Sequence, residues 1–196
     1  MNGASPPPEA GLDAAAFRAA LGSFATGVTI ITARAPDGGP VGVTANSFSS
    51  VSLEPALVLW SLNRRALSLP VFEAATHFAI HVLAADQAGL ADRFATRGVV
   101  DKFAGLDWVE GEGGAPLLQG AAARFECSRF AAHDGGDHRI YIGQVLRFER
   151  SERPGLAFQH GAYAVLGAGG PPRAGSRRAV QPHNPREERE PVARRA

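Results

Sequence analysis

The chain has 196 residues, of which 45% are hydrophobic and 20% are charged, and its formal net charge is +1. These values predict one soluble globular domain of moderate size with a sizeable core. Because no apolar run approaches the roughly 20 residues that a membrane-spanning helix needs, we expect no membrane span. The single cysteine, Cys127, excludes an intrachain disulfide and a cysteine-cluster metal site, and within FECSRF it fits a core position better than a nucleophile.

Charge is distributed unevenly along the chain. Residues 167–196 contain seven arginines and three glutamates with abundant Pro and Gly, which predicts a disordered tail over residues 168–196. This tail could touch polyanions, but a solvated tail is the simpler interpretation, and we expect no nucleic-acid partner. Residues 1–12 have neither a basic start nor an apolar stretch, so we predict a flexible N-terminus, no secretory signal and a cytoplasmic location.

The predicted elements, in chain order, are mostly strands. Asp13 is an expected N-cap for a first helix, and two further short helices are predicted, one of them interrupted by Pro70; the three segments are DAAAFRAALGSFA, ALSLPVFEAA and DQAGLADRFA. Alternation and turn signals predict strands in GVTIITAR, PVGVTANSF, ALVLWSL, THFAIHVL and the long pair within ARFECSRFAAHDGGDHRIYIGQVLRFERS. The fold class is therefore mainly β with short helices (α+β), and a closed or nearly closed barrel is favoured over a doubly wound sheet.

Several common catalytic motifs are missing. The sequence has no glycine fingerprint between a strand and a helix, no Walker loop and no GxSxG elbow, which argues against a Rossmann cofactor site, P-loop phosphoryl transfer and an α/β-hydrolase. His77 and His81 share one face of a strand without a carboxylate at ligand spacing, so partly buried structural histidines are favoured over a metal site.

Three features leave alternatives open. The segment HDGGDH, from His133 to His138, can be a hairpin turn, a metal site or a turn with one histidine at the mouth of a ligand pocket. Residues 41–60, VGVTANSFSSVSLEPALVLW, place hydroxyls and a carboxamide between apolar strands, which suits either an ordinary turn or a loop that binds a phosphorylated, partly aromatic ligand. Lys102 is the only lysine, which reflects either a bias towards arginine or a specific role.

A series of motifs resembles the flavin reductase-like family with a split β-barrel FMN-binding fold. The motifs occur in the order FRAALGSFATGVTIITA, GVTANSFSSVSLEPALVLWSL, ADRFA, DKFAG, GAPLL and GDHRIYIGQV. The resemblance implies a split-barrel domain over residues 13–167 that binds FMN or FAD at a homodimer interface. It also implies hydride transfer from NADH or NADPH to the flavin, which then leaves for a separate flavin-dependent monooxygenase. The cofactors carry the reactive atoms, so no catalytic nucleophile is needed.

The resemblance also assigns site residues. His138, in GDH, would lie near the nicotinamide as the catalytic residue, and no metal is expected. Residues 44–47 would line the isoalloxazine edge, and Ser68 alone keeps a hydroxyl where the family usually offers Ser-x-Thr to the phosphate, so Arg64 or Arg65 could compensate. The full set assigned to the flavin is Thr44, Ala45, Asn46, Ser47, Ser50, Ser52, Ser61, Leu62, Asn63, Ser68, Lys102, Phe103 and Tyr163.

Other functions stay open at this point. A flavin-binding carrier or sensor without reductase activity would have the same barrel. A split-barrel oxidase of another phosphorylated cofactor is a second alternative.

The resemblance disfavours a ligand contact at His81, because the family usually has Asn in the corresponding strand.

Overall fold

A computed structural model describes residues 13–99 and 101–165. The predictions for the N-terminus (1–12), for the tail (168–196) and for the last two residues of the proposed domain lie outside these residues. Within the described ranges, no helix is both long enough and apolar enough to cross a membrane.

The helices are short and lie close to the predicted positions. They are α1 (Ala14–Leu21), α2 (Leu69–Ala74) and α3 (Ala88–Ala95), with a 3-10 turn at Glu112–Gly114. The Asp13 carboxylate accepts hydrogen bonds from the amides of Ala15 and Ala16 at 2.9 and 3.3 Å, which confirms the predicted N-cap. Pro70 was expected to interrupt a helix, and this was wrong. It lies in the first turn of α2, where its missing N–H leaves no bond unmade.

Twelve strands form within the described residues, and every ladder is antiparallel. In chain order they are β1 (Thr26–Gly27), β2 (Thr29–Arg34), β3 (Pro40–Ala45), β4 (Ser49–Leu53), β5 (Ala56–Asn63), β6 (His77–Val82), β7 (Trp108–Glu110), β8 (Pro116–Leu118), β9 (Ala123–Gly135), β10 (His138–Arg150), β11 (Leu156–Gln159) and β12 (Ala162–Val165). The mainly β prediction is confirmed.

The main sheet has seven strands in the order β3-β2-β6-β9-β10-β5-β4, and chain connectivity forces it to curl. The two edge strands, β3 and β4, are consecutive in the chain and are joined by residues 46–48 alone. Four Cα–Cα steps reach about 15 Å, whereas a flat sheet of seven strands would be about 29 Å wide. The edges must therefore approach each other, although they do not pair, so the barrel is split and not closed.

The Ser47 side chain, in the connection between the two edge strands, is hydrogen-bonded to β5. The Ser47 hydroxyl accepts from the Ser61 amide at 2.9 Å and lies 3.2 Å from the Ser61 carbonyl, to which it donates. These contacts hold the β3–β4 connection against β5.

Strand β2 is buried on both faces and separates two hydrophobic clusters. Ile31 faces the barrel interior with Trp60 and Phe78, while Ile30 faces α3 and packs with Phe94. The buried residues of TIITAR are apolar except for Thr29 and Thr32, whose hydroxyls donate to the carbonyls of Ala45 and Pro116. A small sheet in the order β1-β11-β12 borders the second cluster.

Cys127 and His81 lie in the interior, as the sequence indicated for structural residues. Burial, with the nearby Glu126 carboxylate, raises the pKa of the Cys127 thiol to about 12, so the thiol stays protonated and unreactive. His81 is fully buried and hydrogen-bonded to backbone on both ring nitrogens, at Ile30 and Leu118.

Candidate functional site

A cavity of about 510 Å³ opens between β3, the end of β5, the start of α2 and residues 94–99 and 101–103. Its volume lies within the usual range for small-molecule and cofactor sites. The aromatic rings of Phe94 and Phe103 pack edge-to-face, 5.0 Å apart, and line one side. The lining also includes hydroxyl and amide side chains, so the cavity combines apolar and polar groups.

Eleven of the fourteen predicted site residues line this one cavity. They come from separate parts of the chain, and the fold brings together Thr44, Ala45, Asn46, Ser47, Ser61, Leu62, Asn63, Ser68, Lys102, Phe103 and His138. The cavity lining does not include Ser50, Ser52 or Tyr163.

Ser50 and Ser52 lie on an edge strand instead of in a loop. The connection that starts after Ala45 ends at Phe48, and β4 begins at Ser49. Ser50 pairs with Val58 and Ser52 with Leu57, with a bulge at Val51. Because both serines belong to β4, they are carried along β5 and away from the cavity.

Three of the polar groups in the cavity are already used by the protein itself. The Thr44 hydroxyl donates to the Ala91 carbonyl at 2.6 Å, and the Ser47 hydroxyl is bound to Ser61. The Lys102 ammonium donates to the Phe94 carbonyl, also at 2.6 Å. These side chains therefore fix the walls of the cavity, and any contact they make with a ligand uses their remaining hydrogen-bonding capacity.

Other polar groups keep their capacity for a ligand. The Ser68 hydroxyl makes no capping bond at the start of α2. Asn63 uses its side-chain oxygen to accept from the Arg65 amide at 2.8 Å, which leaves its amino group as a donor. Asn46 is exposed at the cavity and forms no hydrogen bond with the described residues.

His138 stands at the first position of β10, directly opposite Asn63 on β5. Its Nδ1 lies 2.7 Å from an Asp137 carboxylate oxygen. This hydrogen bond, together with the imidazole's charge when protonated, lowers the pKa of Asp137. With Nδ1 engaged, Nε2 is the ring nitrogen left for a ligand in the cavity.

The charges that line the cavity are Arg97, Asp101, Lys102 and, when protonated, His138. Burial lowers the pKa of Lys102 from its usual value. The two arginines that were expected to compensate for the incomplete Ser-x-Thr pair do not line the cavity, since Arg64 is ion-paired with Asp134 and Arg65 is exposed. Sequence reasoning did not find Arg97, which no motif marks.

The HDGGDH segment forms the end of the β9–β10 hairpin, with Gly136 at a positive φ of 64°. Asp134 is ion-paired with Arg64 and Arg139. Across residues 13–99 and 101–165, no group of three or more His, Cys, Asp or Glu side chains is placed to hold a metal ion. His138 lines the cavity, so this segment combines a turn with a histidine at the cavity.

The chemistry of this donor set suits a flavin. A flat ring with polar edges fits between aromatic and hydroxyl-bearing walls, and an anionic phosphate fits a lining with more positive than negative groups. The free donors at Asn46, Asn63 and Ser68 match the acceptor-rich edge and phosphate of such a ligand. The residues present therefore fit FMN or the flavin portion of FAD.

Comparison with known proteins agrees with this chemistry. The model of the flavin reductase like domain matches residues 21–167. The chain is 51% identical over 153 residues to the FMN reductase (NADH) SmoA of Agrobacterium fabrum, covering 78% of this chain and 86% of that protein. It is 45% identical over 147 residues to the reductase component of the flavin-dependent trigonelline monooxygenase of Acinetobacter baylyi, where 75% of this chain but 47% of the relative is covered.

The structural comparison gives the same result. The NADH:FAD oxidoreductase SgcE6 of Streptomyces globisporus, solved in complex with NAD and FAD fragments, superposes with a TM-score of 0.76 at 40% identity, covering 80% of this chain and 94% of that one. The chain spans most of SmoA and of SgcE6, and about half of the trigonelline reductase component. Both the family match and the similarity of fold extend over most of the chain, which therefore belongs to the flavin reductase-like family with a split β-barrel fold.

Proposed function

We propose that this protein is a flavin reductase that oxidises NADH or NADPH and reduces FMN or FAD for a separate flavin-dependent monooxygenase. The observation that carries the proposal is the convergence of eleven predicted residues on one cavity that keeps free donors and a net positive lining. The naming of SmoA as an NADH-dependent FMN reductase supports FMN and NADH as the first pair to test.

In this proposal the chain binds and orients, while the flavin supplies the ring that accepts the hydride. Asn46, Asn63 and Ser68 hold the flavin through free donors. Lys102 places a positive charge in the cavity. His138 orients the nicotinamide through Nε2, with Nδ1 fixed by Asp137. Correct stacking of two rings is itself a large part of catalysis in a reaction of this kind, so a general base is not required.

We further propose a homodimer, on the evidence of one uncovered face of the main sheet. On β5, Val58 and Trp60 point into the barrel core, so Leu57 and Leu59, which alternate with them along the strand, point outward. Ile140 and Ile142 of β10 lie beside Ser61 and Leu59 on the same outer face. These four apolar side chains are partly exposed and pack in none of the core clusters that the described residues form, which is typical of a surface covered by another subunit.

The homodimer has a direct test by light scattering in solution. Leu59→Arg and Ile142→Arg place charge on the outer face and should convert a dimer to a monomer. Val109→Arg adds the same charge at an exposed position of β7 and should leave the dimer intact. A monomeric parent protein would refute this part of the proposal.

A cytoplasmic location is also proposed, since the coenzymes and the reduced flavin are intracellular substrates.

The reductase activity is tested by following the loss of NADH or NADPH absorbance with FMN, FAD or riboflavin added in turn. Turnover that depends on added flavin supports the proposal and ranks the flavins. Saturable flavin binding without oxidation of either coenzyme would instead indicate a carrier or sensor.

A further inference from the structure

The last turns of α3 are bound to four different neighbours through four consecutive residues. The Ala91 carbonyl accepts from Thr44 of β3, and the Phe94 carbonyl accepts from Lys102. Arg93 donates to the Ala104 carbonyl at 2.5 Å. The Asp92 carboxylate accepts from the hydroxyl of Tyr163 on β12 at 2.8 Å.

Two of these bonds lie on the cavity side. Ala91 and Phe94 are three residues apart, so their carbonyls face the same side of the helix about one turn apart. Their partners, Thr44 and Lys102, both line the cavity. The position of α3 therefore determines where the Lys102 ammonium stands.

The bond from Tyr163 comes from outside the cavity. The ring of Tyr163 packs against Phe158 with the ring centroids 5.6 Å apart, and both rings border the cluster on the α3 side of β2. Strand β12 is paired with β11, and β11 with β1, so Tyr163 is carried by a sheet separate from the strands that line the cavity. The hydroxyl reaches a charged acceptor, and such hydrogen bonds are stronger than neutral ones.

We propose that Tyr163 and Asp92 are positioning residues for the flavin site, acting through α3 on Lys102. This inference rests on the proposed function. The resemblance assigns Tyr163 to the flavin itself. In this inference Tyr163 instead acts on the site indirectly, without contacting the flavin. The small sheet and β3 both hold α3 by hydrogen bonds, and the helix then presents the Phe94 carbonyl that fixes the ammonium group.

The test is a double-mutant cycle on FMN affinity, measured by quenching of flavin fluorescence on titration with protein. Tyr163→Phe removes the hydroxyl and keeps the ring, and it should weaken FMN binding about fivefold in the parent background. In a Lys102→Met background the same substitution should change the affinity less than about twofold, because the group that it positions is missing. Gln159→Leu is the matched control, since it removes an exposed hydrogen bond from the same small sheet to Ser23 and should have no effect.

Two substitutions of Asp92 give a second test in the same FMN titration. Asp92→Ala should reproduce the loss seen with Tyr163→Phe, and Asp92→Asn, which keeps an acceptor for the hydroxyl, should restore part of the affinity. Equal losses in the parent and Lys102→Met backgrounds, or no loss with Tyr163→Phe, would overturn the inference. The proposed function fails separately, if the parent protein binds FMN but oxidises neither NADH nor NADPH.

Discussion

The Leu118 amide donates a hydrogen bond to Nε2 of His81 at 3.0 Å, deep between the main sheet and β8. The other ring nitrogen, Nδ1, lies 3.1 Å from the Ile30 carbonyl and must donate to it. The two partners thus require a neutral imidazole with its proton on Nδ1. A second proton on Nε2 would face the Leu118 N–H and leave both groups without an acceptor.

This arrangement predicts a loss of stability in mild acid. Burial lowers the pKa of His81 from 6.5 to about 4. The hydrogen bond to Ile30 raises this pKa and the charge of Arg124 lowers it, but burial is the largest effect. Between pH 4 and 6.5 the unfolded chain therefore binds a proton that the folded chain does not. The stability that neutral His81 contributes is complete above pH 6.5 and declines as pH falls to about 4. The total loss of unfolding free energy should be about 3 kcal/mol.

Urea denaturation at a series of pH values measures the effect. His81→Asn keeps a donor and an acceptor but does not titrate, so its unfolding free energy should vary less between pH 4 and 6.5 than that of the parent. The comparison between variants cancels the contributions of the carboxylates. Parallel curves for the two proteins would contradict the assignment.

The local elements were predictable because their signals are short-range. Asp13 precedes an apolar helical repeat, and GVTIITAR and PVGVTANSF alternate, so the cap of α1 and the strands β2 and β3 follow from a few neighbouring residues. The set of predicted site residues, most of which line one cavity, came from the family resemblance and not from spacing. Thr44 and Lys102 are 58 positions apart in the numbering of the sequence.

Long-range contacts explain which predicted site residues lie outside the cavity. Ser50 lies outside the cavity because β4 pairs with β5, and the Tyr163 hydroxyl on β12 donates to the Asp92 carboxylate of α3. No local pattern encodes that the Thr44 hydroxyl is used by Ala91, 47 residues later. The resemblance can locate a residue near a site, but it does not indicate whether that residue contacts the ligand or another part of the wall.

Asn46 should contribute directly to flavin affinity. Its exposed amide stands at the cavity without a protein partner among the described residues, so Asn46→Ala should weaken FMN binding about tenfold through the loss of a ligand hydrogen bond. Ser50→Ala is the control, because Ser50 came from the same predicted loop but lies on β4 away from the cavity. Flavin titrations give both values, and an unchanged Asn46→Ala curve would remove this residue from the site.

Gly42 should be sensitive to the addition of a single methyl group. A Cβ at this position of β3 would overlap the Phe94 ring and press on Phe103, both of which line the cavity. Gly42→Ala should therefore lower the unfolding free energy by about 1–3 kcal/mol and also weaken flavin binding.

Gly89 provides the matched control for Gly42. A Cβ at Gly89 in α3 meets no heavy atom within 4 Å beyond its chain neighbours and the backbone of its own helix, so Gly89→Ala should stabilise the protein by about 0.5–1 kcal/mol through helix propensity. Denaturant unfolding and FMN titration of the two variants test this pair of predictions. A Gly42→Ala protein with the parent's stability would show that the Phe94 ring can move aside.

His138 should affect the coenzyme more than the flavin. Its Nε2 is the free ring nitrogen at the cavity, and neutral imidazole can accept from the amide of a nicotinamide. His138→Ala should therefore raise the apparent Michaelis constant for NADH about fivefold to tenfold, while the dissociation constant for FMN stays within about twofold of the parent. His133→Ala is a close control, because His133 is exposed on the same hairpin, opposite Ile140, and does not line the cavity. Steady-state kinetics with varied NADH at saturating FMN, together with flavin titrations, separates the two effects. A loss of FMN affinity as large as the change in the NADH constant would move His138 from the nicotinamide to the flavin.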